Sequence, residues 1–501
     1  MSGETVADRR VHPGTILLRF IKEMPSTVVA LPAALSFMSD KGLTRFLYYA
    51  AAIGVVVIFF NWLAWSRYRY GVGEREIVIE KGILNRTRRS IPFDRIQDVD
   101  IERSLLARIF GLAKVRVETG AGGKDEGVLD SVTVAEAARL REAVRAWRLG
   151  EAPAFEAAAE GEAAAPAPAG RTLFQMGPPR VLLFGLFNFS LVYLAGLFAF
   201  LQTFDNLLPF DIYDPARWVG LAGDYLPQRF SLGAIAAVLF LAVILGVVAG
   251  VLRTLSRDFG FRLSLEGGRF RRERGLFTRT EAVIARRRVQ LAQVQTGPIR
   301  RAFGWSGLSF QTLGAGTDAS GHQSAAPFAT RPEIERVLAE TKRFRLPPPP
   351  ELAMVSRRHI ARAVGPVLLP PLAVVIALAV QWPQALVLLA ALPLFAILAV
   401  LERRFHRYGL DGELLFVQRG LWRQRLWAVP VGNVQAMSLS RSWLQRRLGL
   451  ASLSLDTAGA PALNFPRIVD VRDDVARALA DEISARRRAA QASGRKSGTD
   501  R

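Results

Sequence analysis

The chain has 501 residues, half of them hydrophobic, and carries a formal net charge of +22. It has no cysteine, which excludes a disulfide framework, a thiolate metal site and a thiol nucleophile. Mean hydropathy is +0.20, and so basic a balance in so apolar a chain points to anionic lipid headgroups as partner, not to nucleic acid.

Residues 1–23 are polar, with Arg9, Arg10, Arg19 and Lys22, and contain no cleavable signal. Apolar stretches at 24–39 and 46–66 predict a first membrane hairpin over 24–66, since about 20 residues of helix cross about 30 Å of hydrocarbon. A strand-rich segment, 67–149, follows, and then an Ala/Glu/Pro linker at 150–170 whose composition predicts flexibility. The order then repeats: a hairpin over 180–253 (stretches 180–204 and 230–253), a strand-rich segment at 254–345 and a polyproline linker at 346–350. A third hairpin over 361–401 (361–380 and 384–401) precedes a last segment, 402–485, and a basic tail, 486–501, expected to be disordered. Arg67, Arg69, Arg253, Arg257, Arg403, Arg404 and Arg407 follow the hairpins, whereas the turn 205–229 carries Asp205, Asp211, Asp214 and Asp224. That imbalance places the strand-rich segments and both termini in the cytoplasm of a multi-pass protein.

One spaced pattern occurs three times. Gly82, Gln97, Gly111 and Thr119 are separated by 15, 14 and 8 residues; Gly275, Gln290, Gly304 and Thr312 keep those spacings, and so do Gly420, Gln435, Gly449 and Thr457. Neighbouring text agrees, with Lys-Gly-Ile-Leu at 81–84, Arg-Gly-Leu-Phe at 274–277 and Arg-Gly-Leu-Trp at 419–422. The architecture is therefore a triplication of one unit.

Within a copy, Ile77 and Ile79 alternate with polar residues as a half-buried strand does, and Gly82 then permits a tight turn. Thr87–Pro92, Val99–Ile101 and Lys114–Thr119 are further strands, and Ser104–Phe110 is a helical turn ended by Gly111. A closing helix follows Thr133-Val-Ala-Glu136 in the first copy, Thr330-Arg-Pro-Glu333 in the second, and Asp470 and Asp473 in the third. The expected fold class is thus about six membrane-spanning α-helices in three hairpins, plus three β-rich domains, each a small antiparallel barrel or paired sheets closed by a C-terminal helix.

The framework, with Ile91-Pro92-x-x-Arg95-Ile96-Gln97, Arg108-x-Phe110-Gly111-Leu112-Ala113 and Val115-x-Val117-x-Thr119, resembles the bacterial PH-like membrane-flanking domain family (YdbS-like). Three tandem copies with paired membrane helices look like its long, YdbT-type members. The second copy departs, with Ile284-Ala285 and Gly304-Trp305; the third keeps Val429-Pro430, Leu448-Gly449-Leu450-Ala451 and Asp456-Thr457. The resemblance implies pleckstrin-homology-like barrels, location in the bacterial inner membrane, no enzymatic activity and a hetero-oligomer with a shorter PH-like membrane protein.

No catalytic constellation is present. His12, His322, His359 and His406 lie in different regions, and no phosphate loop or nucleophile elbow occurs, so no catalytic residue, metal or cofactor is expected. Gln97, Gln290 and Gln435 read as amides bonded to backbone. The arginines are the candidate anionic-lipid or partner patch: Arg86, Arg88 and Arg89 in the first copy; Arg271, Arg272, Arg274, Arg286, Arg287 and Arg288 in the second; Arg423, Arg425, Arg446 and Arg447 in the third. Arg300, Arg301 and Arg419 belong to the same groups. The reading is a non-enzymatic membrane protein presenting three PH-like domains for protein or anionic-lipid binding, in scaffolding or envelope maintenance; a transporter or channel of six helices is the alternative.

Overall fold

The structure, a computed structural model, describes residues 8–18, 42–73, 75–83, 85–119, 127–149, 170–188, 232–312, 322–347, 352–380, 389, 392–458 and 465–498. The expected helix at 24–39, the turn 205–229 and nearly all of the linker 150–170 lie outside these residues.

Each copy supplies a front meander, a back meander and a closing helix. Ahead of each hairpin region lies one extra short strand that the sequence reading missed: β1 (Arg9–Arg10), β8 (Arg171–Gln175) and β15 (Ala353–Met354). The first copy has β2 (Arg69–Val72), β3 (Glu76–Lys81) and β4 (Thr87–Pro92) in front, β5 (Ile96–Arg103), β6 (Leu112–Thr119) and β7 (Gly127–Thr133) behind, and the helix Val134–Leu149. The second has β9 (Arg262–Glu266), β10 (Arg269–Arg274) and β11 (Arg279–Ala285), then β12 (Val289–Thr296), β13 (Ser306–Thr312) and β14 (His322–Ala329), and the helix Arg331–Ala339. The third has β16 (Arg407–Asp411), β17 (Leu414–Arg419) and β18 (Gln424–Pro430), then β19 (Val434–Ser440), β20 (Leu450–Thr457) and β21 (Arg467–Arg472), and the helix Asp473–Gly498.

The chain divides into two compact units, 1–170 with 175–262 and 271–283, and 171–174 with 263–270 and 284–501. In the first unit, β1-β2-β3-β4 form one antiparallel sheet. The back strands run β7-β6-β5, and β5 continues onto β11 of the second copy, with Arg103 opposite Arg279, Glu102 opposite Thr280 and Ile101 opposite Glu281. The core gathers Tyr68, Ile77, Ile79, Phe93, Val115, Leu129, Leu140 and Val144, so front strands, back strands and closing helix bury one shared apolar interior.

In the second unit, β14-β13-β12 continue onto β18-β17-β16-β15 in one seven-stranded antiparallel sheet, and β19-β20-β21 form a separate sheet of three. Leu291 of the second copy is buried in the same cluster as Leu415, Val429, Leu453, Ile468 and Ile483 of the third. The closing helix runs through residues expected to be a disordered tail, as far as Gly498, and Arg487 Nη1 donates to the carbonyls of Val434 (3.3 Å) and Gln435 (3.0 Å).

Two expectations are corrected. Among the described residues, no helix is long and apolar enough to cross a membrane, so six spanning helices, and the channel built on them, are not supported. Pro178–Leu186, capped at Gly177 and Phe187, has nine residues, which at about 1.5 Å per residue falls well short of about 30 Å, and Leu392–Phe405 carries Glu402, Arg403 and Arg404 in its last turns. Nor are the β-rich parts three separate barrels. Back strands of one copy pair with front strands of the next, because an open strand edge carries a row of backbone donors and acceptors that another strand satisfies.

Candidate functional site

The recurrent residues are architectural. Gly82, Gly275 and Gly420 adopt φ of 120°, 112° and 102°, and a Cβ on them would collide with the carbonyls of Asn85, Thr278 and Arg423. Gly111, Gly304 and Gly449 end the short helices Leu105–Ile109, Pro298–Ala302 and Trp443–Arg447 at φ of 64°, 73° and 62°. The glutamines mark a β-bulge in every copy: the register slips between Ile96 and Asp98, Val289 and Leu291, and Val434 and Ala436, skipping Gln97, Gln290 and Gln435. Gln290 Nε2 donates to the Arg288 carbonyl at 3.1 Å. At the same end of each back sheet Thr119 faces Ile96, Thr312 faces Val289 and Thr457 faces Val434.

The arginines divide by environment. Arg86, Arg88 and Arg89 lie on or beside the exposed strand β4, with Arg88 Nε 3.6 Å from Glu80. Arg271 Nε sits 3.3 Å from Glu273 and 2.7 Å from Glu281, and Arg141 of the first closing helix reaches Glu281 at 2.5 Å. Burial opposes ionisation of Glu281, but Arg141 and Arg271 outweigh it and hold the carboxyl below the usual range. Arg272 is buried, and Arg274 Nη1 is 3.4 Å from Asp258. Arg286 donates to the carbonyls of Gly268 (3.0 Å) and Glu340 (2.7 Å). Arg288 is half-buried; Arg287, Arg423, Arg446 and Arg447 are more open to solvent.

Within the second unit, four arginines from two copies converge. The short helix Pro298–Ala302 supplies Arg300, and β17, β18 and the turn between them supply Arg419, Arg425 and Arg423. The Arg300 guanidinium is pushed down to about 10 by burial and by the Arg423 charge. Arg425 is lowered by burial, Arg423 and Arg419. Arg419 is lowered by burial and by Arg467 and Arg362, against which Glu402 acts. Beside them Arg301 Nη1 donates to Gln424 Oε1 at 2.6 Å and its guanidinium lies 4.1 Å over the Phe405 ring. Like charges held close and partly desolvated repel one another, and an anion relieves that repulsion. The sequence showed these arginines as two groups more than 100 residues apart; the join between β12 and β18 brings them together.

His359, His406 and Asp470 form a buried network that the sequence did not show. Asp470, at φ 62°, is not a helix cap. Its Oδ2 lies 2.6 Å from His359 Nδ1 and accepts from Arg362, and its Oδ1 accepts from Gln445 Nε2 at 2.7 Å. Those bonds, led by that of His359, hold the carboxyl below its usual range against the opposing effect of burial. Gln445 also donates to Ser452 Oγ at 2.7 Å. His406 accepts from the Val469 amide at 3.3 Å. Ser131 in the first copy shares the left-handed backbone, at φ 61°, and its carbonyl accepts from His12 as that of Asp470 accepts from Ser356. The network fastens the segment before the third hairpin region to β21.

A family model described as bacterial PH domain matches three stretches, residues 26–147, 216–345 and 361–487. The chain belongs to the bacterial PH domain family. Within this family it is similar to the UPF0699 transmembrane protein YdbT of Bacillus subtilis (strain 168), with 26% identity over 318 residues. The match covers 62% of this chain and 63% of that protein, so the chain spans less than two thirds of its relative's length. No solved structure matches. The three matched stretches of the bacterial PH domain each contain one full set of recurrent residues, from Gly82 to Thr119, Gly275 to Thr312 and Gly420 to Thr457.

Proposed function

We propose that this bacterial PH domain protein is a non-enzymatic binding protein that works at a membrane surface and holds the phosphate of an anionic lipid headgroup at Arg300, Arg419, Arg423 and Arg425. The convergence of Arg300 with Arg419, Arg423 and Arg425 across the join of β12 and β18, where burial and neighbouring arginine charge lower Arg300 and Arg425, is the observation that carries the reading. The arginines Arg86, Arg88, Arg89, Arg287, Arg446 and Arg447 add to the positive field that draws the protein to such a surface. Two further features support membrane association: the relative is named a transmembrane protein, and the helices Gly42–Ser66 and Leu232–Asp258 expose Phe59, Phe60, Trp62, Phe240 and Leu252.

The test is co-sedimentation of the full chain with phosphatidylglycerol vesicles and with phosphatidylcholine vesicles. Apolar contact alone gives equal binding to both. The arginine reading requires tighter, salt-sensitive binding to the anionic vesicles. It also requires a loss of about 30-fold in R423Q/R425Q, at about 1 kcal/mol for each basic side chain. Equal binding to both vesicles, or an unchanged double variant, overturns it.

A further inference from the structure

Two junctions inside the chain use the same strands in the same register. In the first, Arg103, Glu102 and Ile101 of β5 face Arg279, Thr280 and Glu281 of β11. In the second, Thr296, Gln295 and Val294 of β12 face Gln424, Arg425 and Leu426 of β18. Stepping by the repeat spacing, Gly82 to Gly275 to Gly420, carries each residue of the first junction onto its counterpart in the second. A side-chain contact accompanies both. Arg108 Nη1 donates to the Leu276 carbonyl at 3.2 Å in the first, and Arg301, its counterpart, donates to Gln424 in the second. The join is thus a property of the repeat and not of one pair of sequences.

Each copy offers the two halves of this join, so among the described residues a run of three leaves one half over at each end. The counterpart of β11 and β18 in the first copy is β4, which ends the order β1-β2-β3-β4. The counterpart of β5 and β12 in the third copy is β19, which ends the order β19-β20-β21. Burial marks the difference. Thr87 through Ser90 are exposed on β4, whereas Trp427 and Ala428 at the matching positions of β18 are buried. On β19, Ser438 is exposed and Leu439 is 39% exposed, whereas Gln293, the counterpart of Ser438, is 3% exposed. Arg487 donates to β19 at Val434 and Gln435, outside the part that β12 uses for the join, and among the described residues the side-chain hydrogen bond to that part is from Arg467 to the Ser440 hydroxyl, which leaves the strand's backbone edge to a partner.

We propose that β19 of one chain pairs antiparallel with β4 of a second copy of the same chain, repeating the internal junction between molecules. The register follows from the repeat: Arg441 faces Arg86, Ser440 faces Thr87, Leu439 faces Arg88, Ser438 faces Arg89 and Met437 faces Ser90. Arginine opposite arginine at the end of the ladder is already present as Arg103 and Arg279, where Glu273 lies 2.6 Å from Arg279; Arg441 likewise has Asp473 at 3.2 Å. Arg446 takes the part of Arg108 and donates to the Ile83 carbonyl of the neighbour. The contact is head to tail, because the two surfaces differ, so it grows into a filament or closes into a ring. It needs neither lipid nor the arginine cluster.

The chain has no native cysteine, which makes the register directly readable. Full-length Thr87→Cys and Ser440→Cys, carrying different tags, are produced together in one cell and oxidised. Directly opposed residues have Cβ atoms about 5 Å apart, within reach of a disulfide after small adjustment. The expected product is the mixed dimer bearing both tags, reduced about tenfold when Arg88→Cys replaces Thr87→Cys, since a one-residue step points to the other face of the strand. R446A weakens the same cross-link. Absence of the mixed dimer, or dimers of like variants only, overturns the proposal, as does capture of a different protein by the Ser440→Cys variant in place of the second chain. Should either variant fold poorly, the unsubstituted chain gives a separate reading: light scattering must show multiples of the chain mass, and a monomer at every concentration overturns the pairing.

Discussion

His359 Nδ1 stands 2.6 Å from Asp470 Oδ2, with both side chains closed off from solvent. The carboxylate also takes Arg362 and Gln445, so removing it orphans several donors at once. Asp470→Ala should destabilise the second unit by about 3–5 kcal/mol, the cost of breaking a buried charged pair from one side. Asp470→Asn keeps an acceptor and tolerates the left-handed backbone, so its loss should be clearly smaller. Urea titration of both variants measures the order, and equal losses would place the effect in the backbone instead of the carboxylate.

Acid should weaken the second unit before ordinary carboxylates titrate. Burial, with Arg419 and His359, pushes His406 down to about 3, and burial, with Arg425, pushes His322 down to about 4. The unfolded chain therefore takes up protons on both below about pH 6.5 while the folded chain does not. Stability is fully present above that pH and falls as pH drops toward these folded values. Each histidine costs about 1.4 kcal/mol per pH unit inside its window. Asp470, held low, adds its own loss only at still lower pH, as acid passes through its folded value. Unfolding midpoints at about pH 7.5, 6 and 5 test this, and H406Q should flatten the slope between the last two.

The recurrent glycines should separate into two severities. Gly275 combines φ of 112° with a collision between any Cβ and the Thr278 carbonyl, whereas Gly304 has φ of 73° and open space where its Cβ would lie. Gly304→Ala bears only the left-handed penalty, about 1–2 kcal/mol. Gly275→Ala must also move the turn, and should cost at least twice as much. Thermal unfolding of the two variants compares them directly.

What the sequence disclosed follows from how local each feature is. The turn at Gly82, the short helix ended by Gly111 and the strand at Thr87–Pro92 depend on neighbouring residues, and their periodicity showed them. The two-residue strands β1 and β15 are too short to carry any period. The bulge at Gln290 was hidden because it depends on the partner strand. Pairing of β5 with β11 is a choice among strand edges that alternation does not encode. Arg271 and Arg274 read as part of a dense basic patch, yet Glu273, Glu281 and Asp258 lie near them in sequence and meet them in space. The acidic residues interleaved with that run were the available signal.

The face of the sheet that joins the second and third copies holds a test of buried polarity. Gln293 lies opposite Trp427 on one side and Ser309 on the other. Its Oε1 and the Trp427 Nε1 are both closed off from solvent with no hydrogen-bond partner among the described residues. An unmet acceptor in such a place costs about 1–3 kcal/mol, and replacing it by an apolar group of similar shape removes that cost. Gln293→Met should therefore raise the unfolding free energy of the second unit by about 1 kcal/mol, while Trp427→Ala, which empties a large buried volume beside it, should lower it by about 3–5 kcal/mol. The opposite sign for Gln293→Met has a specific meaning: a trapped water bridges the amide to the indole, the substitution orphans both, and Trp427→Phe in the same background then recovers part of the loss by removing the second orphan.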